Sequence, residues 1–319
     1  MDKEELKLLQ SYPLELKEKK SMARIQEAIY QYCFDGLYVS VSGGKDSLVL
    51  QHLVDRVNPN IIKVGCDTGL EYPSVRENMY KLCDVIIKPD MNFKEVLTKY
   101  GYPIISKEQS QFIYQYRNAK SEKTKVTRWY GNKWGRGKIS EKWKYILARD
   151  IKVSDKCCDV MKKKPFKKFE KETGKIPILG KMAIESSKRT QDYIKQGGCN
   201  AFNNKRPKCE PLGFWTEQDI LQYILKYNLT NLLPEEYGEI MEVDGVLKTT
   251  KLNRTGCMFC MYGLHLEQNN RFDYMKEKHP KIYDYCMRGG KYDDEGWWIP
   301  DKGLGMKKVI KHYLNKEIE

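Results

Sequence analysis

The chain has 319 residues, of which 57 are Lys or Arg and 43 Asp or Glu, giving a formal net charge of +14. Hydrophobic residues make up 40%, with 22 Tyr and 6 Trp, which suits a packed core and excludes a disordered polyelectrolyte. No stretch approaches the ~18 uninterrupted apolar residues of a membrane span, and Met1–Glu5 lacks the basic and apolar regions of a signal peptide. A soluble cytoplasmic protein of one large or two smaller domains is expected, with no membrane partner.

Residues 1–36 read as an N-terminal helical segment. Leu6, Leu9, Leu14 and Leu16, then Met22, Ile25 and Ile29, recur at three- and four-residue steps, and Asp35-Gly36 ends the pattern. Leu37–Ser42 reads as a strand, Gly43-Gly44 as a turn and Ser47–Val57 as a helix. Ile61–Cys66 and Asp84–Lys88 are further strands, with helices from Pro73 and over Phe93–Tyr100. Strands alternating with helices at this spacing predict an α/β fold, a doubly wound and mostly parallel sheet with ligands at the carboxyl ends of its strands.

From Arg117 to Arg149 the character changes. This insertion carries eleven Lys and Arg against three acids counted to residue 150, interleaved with Trp129, Tyr130, Trp134, Trp143 and Tyr145 and with glycines. The plain alternative is a solvated charged face. The mixture of cations and rings favours nucleic acid, with an acidic protein as the competing partner. The sheet pattern resumes at Ile176–Met182, helices follow over Glu185–Gln196 and Glu217–Tyr227, and Asp244-Gly245 marks a hairpin. From Leu264 the chain is helical in places, with a glycine break at Arg288–Lys291. The expected division is 1–36, a nucleotide-binding domain over 37–235, and a C-terminal region of hairpin, Cys-x-x-Cys and helices over 236–319.

The segment Val41-Ser42-Gly43-Gly44-Lys45-Asp46-Ser47 carries the most chemistry. A strand ends in two glycines and a helix begins at Asp46 or Ser47, so several backbone N–H groups point to one spot at a helix N-terminus. It lacks the four-residue spacing of the Walker loop. Read structurally, it is a Gly-Gly turn joining a strand to a helix.

Ser42–Ser47 resembles the pyrophosphate loop of the N-type ATP pyrophosphatases, the adenine nucleotide α-hydrolases. Asp67-Thr68-Gly69, Glu185-Ser186, Pro211-Leu212-Gly213-Phe214-Trp215 and Asp219-Ile220 resemble the phosphoadenosine-phosphosulfate reductase branch of that group, so the similarity runs from about Leu37 to Cys260. The resemblance implies an adenine nucleotide α-hydrolase-like sheet that binds ATP, or an adenylylated sulfate, and cleaves or transfers at the α-phosphate. Val41, Ser42, Gly43, Gly44, Lys45, Asp46, Ser47, Asp67, Thr68, Gly69, Glu185 and Arg189 would line the nucleotide site. Lys45 would offset charge on the leaving pyrophosphate, and Asp46 would hold Mg²⁺. Two departures stand out. The residues from Met306 to Glu319 contain no cysteine, where the reductases resolve their sulfonate through one. The arginine usual three residues before Glu-Ser is Met182, which leaves Arg189 as either an anion clamp or an ion-pair partner of Glu185.

Ten cysteines in a reducing compartment are better read as ligands or interior residues than as disulfides. Cys33, Cys66, Cys83, Cys209 and Cys286 look like interior residues. Cys157-Cys158 with Cys257-x-x-Cys260 resembles the ligand set of the iron–sulfur adenylylsulfate reductases, which implies a [4Fe–4S] cluster, with Zn²⁺ the alternative soft-ligand choice. Lys156, Lys162, Lys163, Lys164 and Arg254 would offset its charge. Cys199 stays open, either replacing one of the adjacent pair or acting as a free thiol. The function expected is an ATP pyrophosphatase that adenylylates an acceptor, plausibly on nucleic acid, for sulfur transfer, with a sulfur donor or reductant protein as partner. The alternatives are a phosphoadenylylsulfate or adenylylsulfate reductase and a non-catalytic, zinc-stabilised nucleic-acid-binding module.

Overall fold

The computed structural model describes residues 1–267 and 271–314; the remaining parts of the expected C-terminal region, 268–270 and 315–319, lie outside the described residues. Its elements run α1 Lys3–Gln10, α2 Leu14–Tyr32, β1 Leu37–Val41, α3 Lys45–Val57, β2 Ile62–Cys66, α4 Pro73–Leu82, β3 Val85–Ile87, α5 Phe93–Tyr100 and β4 Ile104–Ile105. After them come α6 Lys107–Asn118, α7 Glu122–Tyr130, α8 Lys156–Cys158, α9 Lys164–Thr173, β5 Ile176–Leu179, α10 Ser187–Lys195 and α11 Glu217–Lys226. The chain ends with β6 Ile240–Val243, β7 Val246–Thr249, β8 Met261–Tyr262, α12 Arg271–Lys278, α13 Pro280–Met287, β9 Lys291–Tyr292, β10 Trp298–Ile299 and α14 Met306–Leu314. No helix among the described residues is long and apolar enough to cross a membrane.

The described residues form two compact units. The first comprises 1–67, 71–88 and 165–255; the second comprises 68–70, 89–164 and 256–319. The chain therefore passes between them several times, and the units do not coincide with the linear division 1–36, 37–235 and 236–319.

The first unit is the expected α/β body. Its sheet is parallel throughout in the order β3-β2-β1-β5, with Val39 opposite Lys63 on one side and Ile178 on the other. Val39, Val41, Val64 and Ile178 are buried, as near-continuous apolar strands in a helix-covered sheet should be. Helices α2, α3 and α11 contribute Ile25, Leu50, Leu53, Ile220 and Ile224 to one core. The Pro211–Trp215 motif is part of that core. Trp215 Nε1 donates to Ser21 Oγ at 2.8 Å, and Ser21 Oγ in turn donates to the Pro211 carbonyl at 2.7 Å. Asp219 caps α11 through Thr216 and pairs with buried Lys17 at 2.6 Å, which fastens α2 to α11. The hairpin β6–β7 turns at Asp244 and Gly245, both at positive φ.

In the second unit, short parallel pairings set the site. Tyr102 bridges Val153, while Ile104 and Ile105 pair with Met261 and Tyr262. Residues 151–154, 102–105 and 261–262 thus lie side by side. Cys157-Cys158 leaves the first of these segments, and Cys257-x-x-Cys260 enters the last.

Candidate functional site

At the end of β1 the chain turns through Gly43 at φ +79° and caps α3 with Gly44. Gly43 is demanded by packing as well as by the turn, since a Cβ there would stand 2.2 Å from the Val75 carbonyl of α4. A Cβ on Gly44 would meet the Tyr237 hydroxyl at 2.9 Å. Ser47 Oγ donates to the Gly44 carbonyl at 2.9 Å and lies 3.2 Å from Ser42 Oγ, which fixes the loop's shape, while Val41 is buried beneath it.

The charged groups of the loop are held from elsewhere in the first unit. Lys45 Nζ donates to the Asn253 carbonyl at 2.5 Å and pairs with Glu217 at 3.1 Å. The Lys45 amide donates to Tyr237 Oη at 3.3 Å, and that hydroxyl lies 3.2 Å from Thr255 Oγ1. Asp46 Oδ1 is buried without a hydrogen-bond partner. Burial raises the Asp46 carboxyl above its ordinary range, against the opposing pull of Lys45, Arg254 and Arg189. Glu185 takes Arg189, one helical turn on, and Arg254 at 3.2 Å. Of the two readings of Arg189, the ion pair is therefore formed, and the guanidinium still bears on Asp46. Arg254 is thus engaged by Glu185 within the first unit.

Asp67 is buried, accepting two bonds from Arg76 at 2.9 and 2.6 Å and one from Tyr80 at 2.7 Å. Its carboxylate shapes the loop after β2. Thr68 and Gly69 belong to the second unit, where Thr68 Oγ1 accepts from the Leu70 amide at 3.2 Å and the Leu70 carbonyl accepts from Met258 at 2.9 Å. Sequence reasoning missed Tyr237, Glu217 and Asn253. The signal available was weak: a polar run, Lys251-Leu252-Asn253-Arg254-Thr255, before the glycine of the Cys-x-x-Cys turn.

In the second unit Cys157, Cys158, Cys257 and Cys260 gather. Burial pushes the Cys157 thiol up, and each of the other three adds to the effect. Burial and the neighbouring Cys257 push Cys260 up to about 11. The Cys260 amide donates to the Cys257 carbonyl at 3.1 Å, closing the turn. Among the described residues no three His, Cys, Asp or Glu stand at metal-holding spacing. Thiols are soft donors, the type that Zn²⁺ and iron–sulfur clusters take.

Cys199 lies in the first unit, buried, 3.1 Å from Tyr193 Oη and pushed up to about 11 by its burial. It is a core residue and not one of the gathered thiols. Cys66, Cys209 and Cys286 are buried as expected, but Cys33, at the end of α2, is exposed.

The insertion splits by exposure. Trp143 is buried, whereas Trp134 is 70% exposed on a tip where Asn132 Oδ1 accepts from the amides of Trp134 and Arg136, both at 3.0 Å. Lys133 lies over the Trp134 ring at 4.3 Å and Lys144 over Trp129 at 4.4 Å.

A family model described as the phosphoadenosine phosphosulfate reductase domain matches residues 36–260. An uncharacterized protein of Methanocaldococcus jannaschii is 25% identical over 325 aligned residues, covering 95% of this chain. The chain spans 62% of that relative's length. The crystal structure of phosphoadenylyl-sulfate reductase from Candida auris, a phosphate complex, is 16% identical with a TM-score of 0.38, covering 72% of this chain and 88% of that one.

Proposed function

The chain belongs to the phosphoadenosine phosphosulfate reductase domain family, and from that premise we propose that it binds ATP at Ser42–Ser47 and transfers the adenylyl group to an acceptor oxygen, preparing it for replacement by sulfur. The observation that carries this reading is the buried, unpartnered Asp46 Oδ1 beside Lys45 at the start of α3. A buried carboxylate oxygen without a donor is a costly arrangement. It suits a loop that receives a cation and phosphates together.

The acceptor oxygen attacks the α-phosphorus and the bond to the β-phosphate oxygen breaks, so pyrophosphate leaves with its electron pair. Backbone amides at the start of α3 and the Lys45 ammonium face that developing charge. Mg²⁺, when bound, would supply further charge neutralisation, and Asp46 would hold it. A sulfur nucleophile then displaces AMP. In the second unit Cys157, Cys158, Cys257 and Cys260 would hold a [4Fe–4S] cluster, or Zn²⁺ in its place. The acceptor is proposed to be nucleic acid, recognised through the 117–149 insertion, with a separate protein delivering sulfur or electrons.

The family's own name favours a second reading, reduction of an adenylylated sulfate. Pyrophosphate release from ATP and Mg²⁺, with and without RNA or DNA, tests the first reading. Thioredoxin-dependent sulfite release without pyrophosphate would replace it with the second. Asp46→Asn should abolish pyrophosphate release yet raise the melting temperature at neutral pH. The sign follows from the raised carboxyl: the folded state favours the protonated form, so this group's contribution to stability is present at low pH and is lost as pH rises through its folded pKa. A neutral amide removes that loss.

A further inference from the structure

Within the second unit lies a cavity of about 510 Å³, inside the range of small-ligand sites. Its walls combine the rings of Tyr100, Tyr114 and Trp297 with the cations Lys99, Arg117 and Lys152. Arg117 is fixed by the carbonyls of Ile151 at 2.5 Å, Ile146 at 2.7 Å and Leu147 at 3.1 Å, and its guanidinium lies 5.2 Å from the Trp297 ring centre. Trp297 is itself held in the β9–β10 turn, its amide donating to Asp293 Oδ1 at 2.8 Å. Lys152 pairs with Asp293 at 3.3 Å and lies 5.9 Å from the same indole. Lys99, at the end of α5, is exposed. Glu295 is the one carboxylate among the described lining residues, and its side chain is 76% exposed.

Aromatic faces held in place beside several cations suit a ligand that is flat and aromatic at one end and anionic at the other. A nucleotide has that chemistry. Arg117 and Leu147 belong to the basic insertion as well as to the cavity wall, so the pocket is continuous with a surface of cations and exposed rings.

We propose that this cavity receives one nucleotide unit of a single-stranded nucleic acid, its base against Trp297 and Tyr114 and its phosphate towards Lys99 and Lys152. This narrows the acceptor of the proposed function to a single strand and rests on that reading for its catalytic meaning, but binding is measured without ATP. The two can therefore fail separately.

The test is titration of fluorescein-labelled single-stranded RNA and DNA dodecamers with the whole 319-residue chain at low salt, with AMP and UMP as competitors. Trp297→Ala should weaken dodecamer binding roughly 5- to 150-fold, the loss of about one base stack, and Trp297→Phe should recover most of it. Lys99→Ala, an exposed change that leaves the fold alone, should make the logarithmic salt slope shallower by about one. Parent-like affinity and slope in both Trp297→Phe and Lys99→Ala, together with parent-like affinity in a folded Trp297→Ala, would overturn the assignment. AMP or UMP binding as tightly as the dodecamers would overturn the strand in favour of a free nucleotide.

Discussion

Around the phosphate loop of the first unit, Lys45 is held by the Asn253 carbonyl and Glu217, and Arg189 and Arg254 close on Glu185. In the second unit, Lys133 and Lys144 lie over indole faces, and Trp134 stands in solvent. The first arrangement fixes a few charges at short range before any ligand arrives, which suits a small anion whose charge changes during reaction. The second spreads cations and stacking surfaces over a broad area, which suits a long polyanion bound by many modest contacts. Changes in the first region should act steeply on turnover; changes in the second should act gradually on binding.

The largest expected effect is that of Gly44→Val. Its Cβ would stand 2.9 Å from Tyr237 Oη, and the branched side chain would cover the amides at the start of α3, to which the proposal assigns the phosphates. Pyrophosphate release should fall by roughly a hundredfold or more, the scale on which removal of one anion-stabilising donor acts. Oligonucleotide affinity should not change. A fall in both would break the separation between the two regions.

Next comes the thiol set. Protein purified anaerobically from iron-replete cells should carry iron and acid-labile sulfide, and Cys257→Ala or Cys260→Ala should lose both. Cys199→Ala should keep them, because Cys199 is buried against Tyr193 in the first unit. Stoichiometric zinc without sulfide would turn the cluster into a tetrathiolate zinc site.

These two regions also differ in how readable they were. The parallel sheet, its helices and the hairpin at Asp244-Gly245 follow from local periodicity and turn residues, and the structure has them where the pattern puts them. The loop 42–47 was legible as a strand-to-helix turn because its shape is written in consecutive residues. Tyr237, Glu217 and Asn253 were not, since they reach Lys45 only through the tertiary path of 165–255, and no local pattern encodes that meeting. The pairing of Arg254 with Glu185, 69 residues away, is likewise a tertiary meeting that no local pattern announces. Cys199 drew attention by its glycine context, although packing makes it an interior residue. The cavity at Trp297 draws on segments nearly two hundred residues apart in sequence, so only the fold could reveal it.

At the insertion tip the effects should be smaller and of two kinds. Trp134→Ala should cost about 1–3 kcal/mol of oligonucleotide binding with little change in salt slope, as expected for a lost stacking surface. Lys133→Ala combined with Arg136→Ala should instead make the slope shallower by about two. The same response from both variants would mean that Trp134 serves only to position Lys133.

The smallest effect concerns Tyr237. Its hydroxyl accepts from the Lys45 amide at 3.3 Å and lies beside Thr255, so it stands where a phosphate oxygen would meet that amide. Tyr237→Phe removes the acceptor and leaves the amide unsatisfied in the nucleotide-free protein, at a cost of about 1 kcal/mol or more. An incoming phosphate would recover that loss, so ATP should bind roughly fivefold more tightly to the variant, as isothermal titration with a non-hydrolysable analogue would read. The melting temperature of the nucleotide-free protein should fall by the matching amount, and the gap between variant and parent should close at saturating nucleotide. Weaker nucleotide binding by a stably folded Tyr237→Phe would reverse the assignment: the hydroxyl would then be a donor to the phosphates, and the fixed charges around the loop would include one more nucleotide contact.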